Sequence, residues 1–126
     1  MIEIRVFPKG DGMVLSAEGH AGMAPRGQDI VCAGVSALLF GFAAYLESLT
    51  PCGEERTAHL ACVEGDGVLR LSTHGLGGEE LRGWAVVAAG LRLIEEAYPA
   101  CVRLLDGYSS ARRHEHEMEV KSERYA

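Results

Sequence analysis

An uncharged, largely apolar run over residues 30–46 constrains the fold of this chain more than any other feature. It follows Asp29, a residue type that favours helix N-caps, and no proline occurs before Pro51, so we predict a helix over residues 30–49. The run is at the lower limit for crossing a bilayer and lies in mid-chain between polar segments, which favours a buried helix over a membrane span. Because it is apolar on nearly all sides, we expect it at the centre of the core or against a second chain.

Two pairs of strand-like segments lie on either side of this helix. Residues 2–6 alternate apolar and charged side chains, the Gly-containing residues 9–12 form a turn, and residues 13–18 return. A second hairpin is predicted from residues 58–63 and 68–73, which flank another Gly-containing turn. The residues expected on the inner faces of these hairpins include Ile2, Ile4, Val6, Leu69 and Leu71.

A second long helix is predicted to begin at Glu79 and Glu80, where negative charge is favoured, and to end before Pro99. Its apolar positions at helical spacing are Leu81, Trp84, Ala88, Leu91 and Ile94. Residues 102–105 form a short final strand. The order ββαββαβ predicts an α+β fold, in which two β-hairpins and the final strand form a sheet packed by two long helices.

Both predicted helices carry glycines seven residues apart, which places each pair near one helix face: Gly34 with Gly41, and Gly83 with Gly90. An interior glycine costs a helix about 1 kcal/mol relative to alanine. The glycines either permit a close approach of two helices or are tolerated weak points, and the sequence leaves both interpretations open.

A chain of 126 residues is the length of one domain. We predict a domain over residues 1–106 and a polar tail over residues 107–126. The tail contains His114 and His116, which we interpret as solvated, because a metal site needs three or four converging ligands. We therefore predict no metal and no cofactor.

A formal net charge of −6 argues against direct nucleic-acid binding, which needs clustered positive charge, and suits a basic partner. The first residues lack the basic region, apolar run and cleavage site of a secretory signal, so we expect a cytoplasmic protein. The four cysteines lack the close pairing of a zinc ribbon or redox motif and are expected to be free thiols.

The candidate site lies where the glycine-rich residues 19–28 lead into the first helix. Cys32 follows Asp29 by three residues, so it lies in the first helical turn, where N–H groups and the helix dipole stabilise a thiolate. His20 lies twelve residues before Cys32, and a loop of that length can bring an imidazole to a thiol. These are the parts of a thiol nucleophile with its base, and the helix-start N–H groups would be free to hold an oxyanion.

Each of these features also has a purely structural interpretation. A cysteine at the start of an apolar helix is often a small buried hydrophobe, and a histidine beside glycines is often a turn residue. A glycine-rich loop before a helix can bind phosphate, although residues 22–27 contain no lysine and match neither common nucleotide loop. Spacing alone leaves these alternatives open.

A longer pattern resembles the ribosomal-processing cysteine protease family, Prp. It consists of Gly19-His20-Ala21, a variable loop, and Gly27-x-Asp29-Ile30-Val31-Cys32-Ala33-Gly34-Val35-Ser36-Ala37-Leu38. The resemblance implies a small α/β homodimer. It also implies an endopeptidase that removes a short N-terminal extension from the precursor of a bacterial large-subunit ribosomal protein, number twenty-seven. The cut would follow an aromatic residue within an apolar sequence.

The resemblance also implies roles for individual residues. Cys32 would be the nucleophile, and His20 the general base and then the acid that protonates the leaving amine. Asp29 and Ser36 match family positions; Asp29 either orients His20 or caps the helix, and Ser36 either supports the site or fits closely packed helices.

The flexible loop that contains Gly22 and Gly27 is expected to close over the substrate. Two alternative functions are kept: a ribosome-associated module that binds peptides without cutting them, and a thiol redox sensor at Cys32.

Overall fold

The structure, a computed structural model, describes residues 1–25, 28–50, 58–63 and 67–108. Its strands are β1 (Ile2–Lys9), β2 (Gly12–Gly19), β3 (Ala58–Val63), β4 (Val68–Thr73) and β5 (Val102–Asp106), and its helices are α1 (Ile30–Ser48) and α2 (Gly78–Ala97). The predicted ββαββαβ order and α+β class are confirmed. The main difference in bounds is β1, which runs on through Pro8. At that point β1 pairs only with β2, because its pairing with β5 ends at Val6.

The five strands form one mixed sheet in the order β3-β4-β2-β1-β5. The β1–β5 pair is parallel and the other three pairs are antiparallel. Side chains alternate between the two sheet faces, and the predicted inward residues, including Ile4, Val6 and Leu71, are buried against the helices. On the opposite face Arg5, Arg70 and other polar residues are exposed. The molecule therefore has two layers, with the helices on one side of the sheet.

Helix α1 buries one face only, formed by Val31, Val35, Leu39, Phe42 and Leu46. Of the two predicted positions, the centre of the core is wrong, because Ile30 and Phe40 remain 68% and 44% exposed. Packing against a second chain stays a prediction. By length and a mean hydropathy of 1.8, α1 could also cross a membrane, a test that core helices of soluble proteins pass as well. Its packing in the shared core of sheet and helices favours the core-helix interpretation.

Three of the four paired glycines lie where α1 and α2 approach closely. A Cβ added at Gly83 would lie 2.7 Å from Cδ1 of Tyr45, and one at Gly90 would lie 3.0 Å from Cδ1 of Leu38. At Gly41 nothing lies within 4 Å. A Cβ added at Gly34 would lie 3.3 Å from Cδ1 of Ile94. Close approach of the helices therefore explains Gly34, Gly83 and Gly90 but not Gly41.

The predicted apolar stripe of α2 is partly confirmed. Trp84, Ala88 and Leu91 are buried. Leu81 and Ile94 lie at opposite margins of the stripe, because each is rotated away from its centre by the helical period. Ile94 faces α1 and is half-buried, whereas Leu81 is 37% exposed, so the prediction is wrong for Leu81.

The division into a domain and a tail stays a prediction, since residues 109–126 lie outside the described residues, and so do His114 and His116. Cys52 lies outside them as well. Among the described residues, Cys32 and Cys101 are free cysteines. The same part of the chain contains no group of three or more His, Cys, Asp or Glu side chains that would hold a metal ion.

Candidate active site

Asp29 fixes the start of α1. Its backbone is extended, and its Oδ1 accepts the N–H groups of Val31 at 2.9 Å and Cys32 at 3.1 Å, as an N-cap does. The carboxylate is buried. Backbone hydrogen bonds, first of all from Cys32, lower the pKa of Asp29 although burial opposes them. The helix therefore begins with a negative charge that is fixed against the main chain of Val31 and Cys32.

The other oxygen of the same carboxylate holds the preceding loop. Oδ2 of Asp29 accepts the N–H of Met23 at 2.9 Å. Ala21 is buried and packs into the core, although it belongs to the glycine-rich segment that we predict as a flexible loop. Gly22 is exposed with a φ of +75°, and Gly27 lies outside the described residues. Closure of this loop over a substrate stays a prediction.

Cys32 lies in the first turn of α1, as predicted, and its side chain is partly exposed. Its Sγ accepts the N–H of Ala21, with a nitrogen–sulfur distance of 3.4 Å. Ala21 directly follows His20, so this contact brings the main chain of the candidate base to the candidate nucleophile. The sulfur is therefore accessible and lies beside the segment that carries the imidazole.

His20 follows the last residue of β2, and its side chain is exposed. Its carbonyl oxygen accepts from the Met1 nitrogen at 2.6 Å. Its imidazole lies against Gly67, the residue before β4, where an added Cβ would be 2.8 Å from Cε1 and Nε2 of the ring. Among the described residues the ring forms no hydrogen bond with Sγ of Cys32; catalytic hydrogen bonds are often long before substrate binds.

The expectation that the helix-start N–H groups are free for an oxyanion is wrong for Val31, Cys32 and Ala33. Those of Val31 and Cys32 donate to the carboxylate of Asp29, and that of Ala33 donates to the Asp29 carbonyl oxygen at 3.0 Å. The N-cap side chain satisfies the groups that a helix start otherwise leaves open. The N–H that lies at the sulfur is instead that of Ala21.

The two tentative supporting residues differ in their surroundings. The carboxylate of Asp29 accepts hydrogen bonds from backbone N–H groups and, within the described residues, does not contact the His20 ring. Ser36 lies one turn after Cys32 on α1, is exposed, and forms no hydrogen bond with another described residue. A catalytic contribution from either residue stays a prediction.

Sequence reasoning missed Ala21 and Gly67. Ala21 contributes its backbone N–H, which leaves no signal in the side-chain pattern. Gly67 lies in a segment that the sequence identifies only as a turn. Its contact with His20 depends on sheet order, because β4 lies beside β2 although 48 residues separate Gly19 from Gly67.

Comparisons with known proteins agree with this geometry. Residues 1–103 match the sequence profile of the family described as Cysteine protease Prp. A crystal structure of the essential ribosomal processing protease Prp from S. aureus, in complex with a covalently linked product peptide, is 28% identical with a TM-score of 0.70. That match covers 84% of this chain and 99% of the S. aureus chain.

Two further structures are similar. The S. aureus Prp protease in complex with a substrate peptide is 26% identical with a TM-score of 0.59, over 83% of this chain and 96% of the other. A Streptococcus mutans protein is 25% identical with a TM-score of 0.63, over 85% of this chain and 94% of the other. No match was found among curated proteins. The site contains a partly exposed thiol in a first helical turn, and a histidine directly precedes the residue whose N–H donates to that thiol. Together with the family match over most of the chain, these features show that this chain belongs to the Prp family and is a cysteine protease.

Proposed function

We propose that this protease removes the N-terminal extension of a large-subunit ribosomal protein, number twenty-seven, in the cytoplasm and as a homodimer. The hydrogen bond between Sγ of Cys32 and the N–H of Ala21 carries the proposal, because it brings together the segments that hold nucleophile and base. The S. aureus relative is a ribosomal processing protease, and its two structures hold a covalently linked product peptide and a substrate peptide, which supports a ribosomal-protein substrate. The net charge of −6 suits a basic substrate.

The reaction is acyl transfer to sulfur. His20 accepts the proton of the Cys32 thiol, and the thiolate attacks the carbonyl carbon of the scissile peptide bond. The Ala21 N–H, which lies at the sulfur, donates to the oxygen that becomes negative. When the C–N bond breaks, His20 returns the proton to the leaving amine and a thioester remains on Cys32. A water molecule, deprotonated by His20, then hydrolyses the thioester.

Cleavage of a synthetic peptide that spans the extension junction, with an aromatic residue before the cut, tests the proposal. We expect the wild-type chain to cut it at one bond, Cys32→Ala to abolish cutting, and His20→Ala to slow it by at least about 10²-fold. Cys101→Ala is the matched control, because Cys101 is a free, buried cysteine that lies outside the site.

Mass spectrometry of the products identifies the bond that is cut. An intact peptide after incubation with the wild-type chain refutes the proposed substrate. Cutting at the wild-type rate by Cys32→Ala refutes the assignment of the nucleophile. The family match already argues against a module that only binds peptides and against a redox sensor.

A further inference from the structure

Gly67 connects the turn before β4 to the segment that carries His20. Its φ of +62° lies in the left-handed region, which glycine adopts without strain. Its carbonyl oxygen accepts the N–H of Gly19 at 2.9 Å. The main chain immediately before His20 is therefore tied to this turn.

The space beside Gly67 is filled by the imidazole. An added Cβ would lie 2.8 Å from Cε1 and 2.8 Å from Nε2 of His20, and 2.9 Å from the Gly19 carbonyl oxygen. Real Cβ atoms essentially never show contacts under 3.0 Å. Nε2 is one of the two ring nitrogens that carry the proton. The ring therefore occupies a volume that any other residue at position 67 would take.

We infer that Gly67 is a positioning residue for the His20 imidazole, and that its missing side chain sets where the ring rests beside the Cys32 segment. The inference rests on the proposed function, which makes this ring the general base. The positive φ of Gly67 would by itself explain a glycine at this position. The inference adds a second reason, which is the space that the His20 ring needs.

Replacing Gly67 by alanine forces either the ring or the turn to move. The ring is exposed, so it moves at small cost in stability, but it leaves the position that Gly67 gives it next to the segment in contact with Cys32. A displacement of about 1 Å in a catalytic group can cost about 10²-fold in rate. We therefore expect Gly67→Ala to lower kcat by about 10- to 100-fold and to leave KM within about twofold, because Gly67 adds no peptide contact.

Gly10 provides the matched control. It lies in the turn between β1 and β2 with a φ of +58°, and nothing lies within 4 Å of an added Cβ. Gly10→Ala therefore imposes the same backbone strain without touching His20. Asparagine tolerates positive φ, so Gly67→Asn and Gly10→Asn separate the collision from the strain and replace the alanine variants if Gly67→Ala does not fold.

The experiment measures kcat and KM for the junction peptide and, without substrate, the NMR signal of the His20 Cε1–H, assigned with His20→Ala. Both Gly67 variants should shift that signal and lower kcat, whereas both Gly10 variants should keep the wild-type values. An unmoved signal in the Gly67 variants, or an equal loss of kcat in the Gly10 variants, overturns the inference. A wild-type chain that cuts nothing refutes the proposed substrate alone, because the NMR signal still reports the contact.

Discussion

Asp29 shows how one side chain serves both segments of the site. Its two carboxylate oxygens hold the first turn of α1 and the Met23 N–H of the loop. The helix-start N–H groups are thereby used for structure, and the Ala21 N–H is left to meet the sulfur. The cap therefore decides which donors are available for chemistry.

The lowered pKa of Asp29 predicts a loss of stability in acid. The ordinary value is 3.8, and hydrogen bonds to the ionised form depress it in the folded chain. Stability from this difference is fully present above the ordinary value and is lost as the pH falls through the lower folded value. Asp29→Asn removes the titration but keeps a capping side chain.

Thermal unfolding midpoints at about pH 7 and about pH 2 check this prediction. The midpoint should fall less in Asp29→Asn than in the wild-type chain. The control is Asp11→Asn, at an exposed turn residue; its midpoint should fall by as much as that of the wild-type chain. Equal falls in all three chains would mean that the cap carboxylate contributes no acid sensitivity.

The sequence predicts the side chains that carry the chemistry but not the groups that surround them. Cys32 and the cap at Asp29 follow from residue type and local spacing, and the structure places both at the helix start. The Ala21 N–H and Gly67 depend on main-chain geometry and on the neighbouring strands, which side-chain patterns do not encode. Only the assembled sheet places Gly67 under the His20 ring.

At the scale of elements, α1 and α2 pack closely because glycines leave room for large side chains of α1. Tyr45 lies over Gly83, and its hydroxyl donates to the Glu79 carbonyl oxygen at 2.9 Å. The glycines therefore lower the intrinsic helix propensity of α1 and α2 but allow the two helices to pack closely.

Gly83→Ala tests this exchange. Alanine adds about 1 kcal/mol of helix propensity, but its Cβ collides with the Tyr45 ring, and overpacking costs about 1–3 kcal/mol. We expect a net destabilisation in the wild-type chain and a net stabilisation in a Tyr45→Ala background, where the ring is gone. Urea unfolding of the four chains gives both values. Stabilisation by Gly83→Ala in the wild-type background would contradict the packing argument.

Strands and helices differ in how well the sequence predicts which residues they bury. Alternation correctly places Ile4 and Leu71 on the inner face, because a strand has only two faces. A helix has a continuous surface, so the margins of its apolar stripe depend on its neighbours, and Leu81 is exposed for that reason. For the same reason, the apolar side chains on nearly all sides of α1 do not show which of those sides are covered by the rest of this chain.

At the scale of the whole molecule, the helix layer leaves apolar side chains on its outer side. Val86 and Leu93, seven residues apart on α2, are 73% and 67% exposed, and Phe40 of α1 is 44% exposed. Exposed apolar residues grouped on one surface are typical of protein interfaces. This arrangement supports the proposed homodimer, with the outer helix surface as the contact.

Replacing Val86 and Leu93 together by glutamate should convert the proposed dimer to a monomer, because burying two charges at the contact is costly. Light scattering after size exclusion measures the mass. Leu105→Glu, at a 38% exposed position on the open sheet face, should keep the dimer. A monomeric wild-type chain, or a double variant that stays dimeric, would contradict this interface.

The parallel pairing of β1 with β5 has a consequence for synthesis on the ribosome. Ile2 pairs with Val102, so β1 waits for a partner that is translated 100 residues after it. Such non-local pairing is slow, because loop-closure entropy must be overcome before the contact forms. A nascent chain can assemble both hairpins and α1 while one side of β1 still lacks its neighbour, so the finished sheet arises only after β5 has been translated.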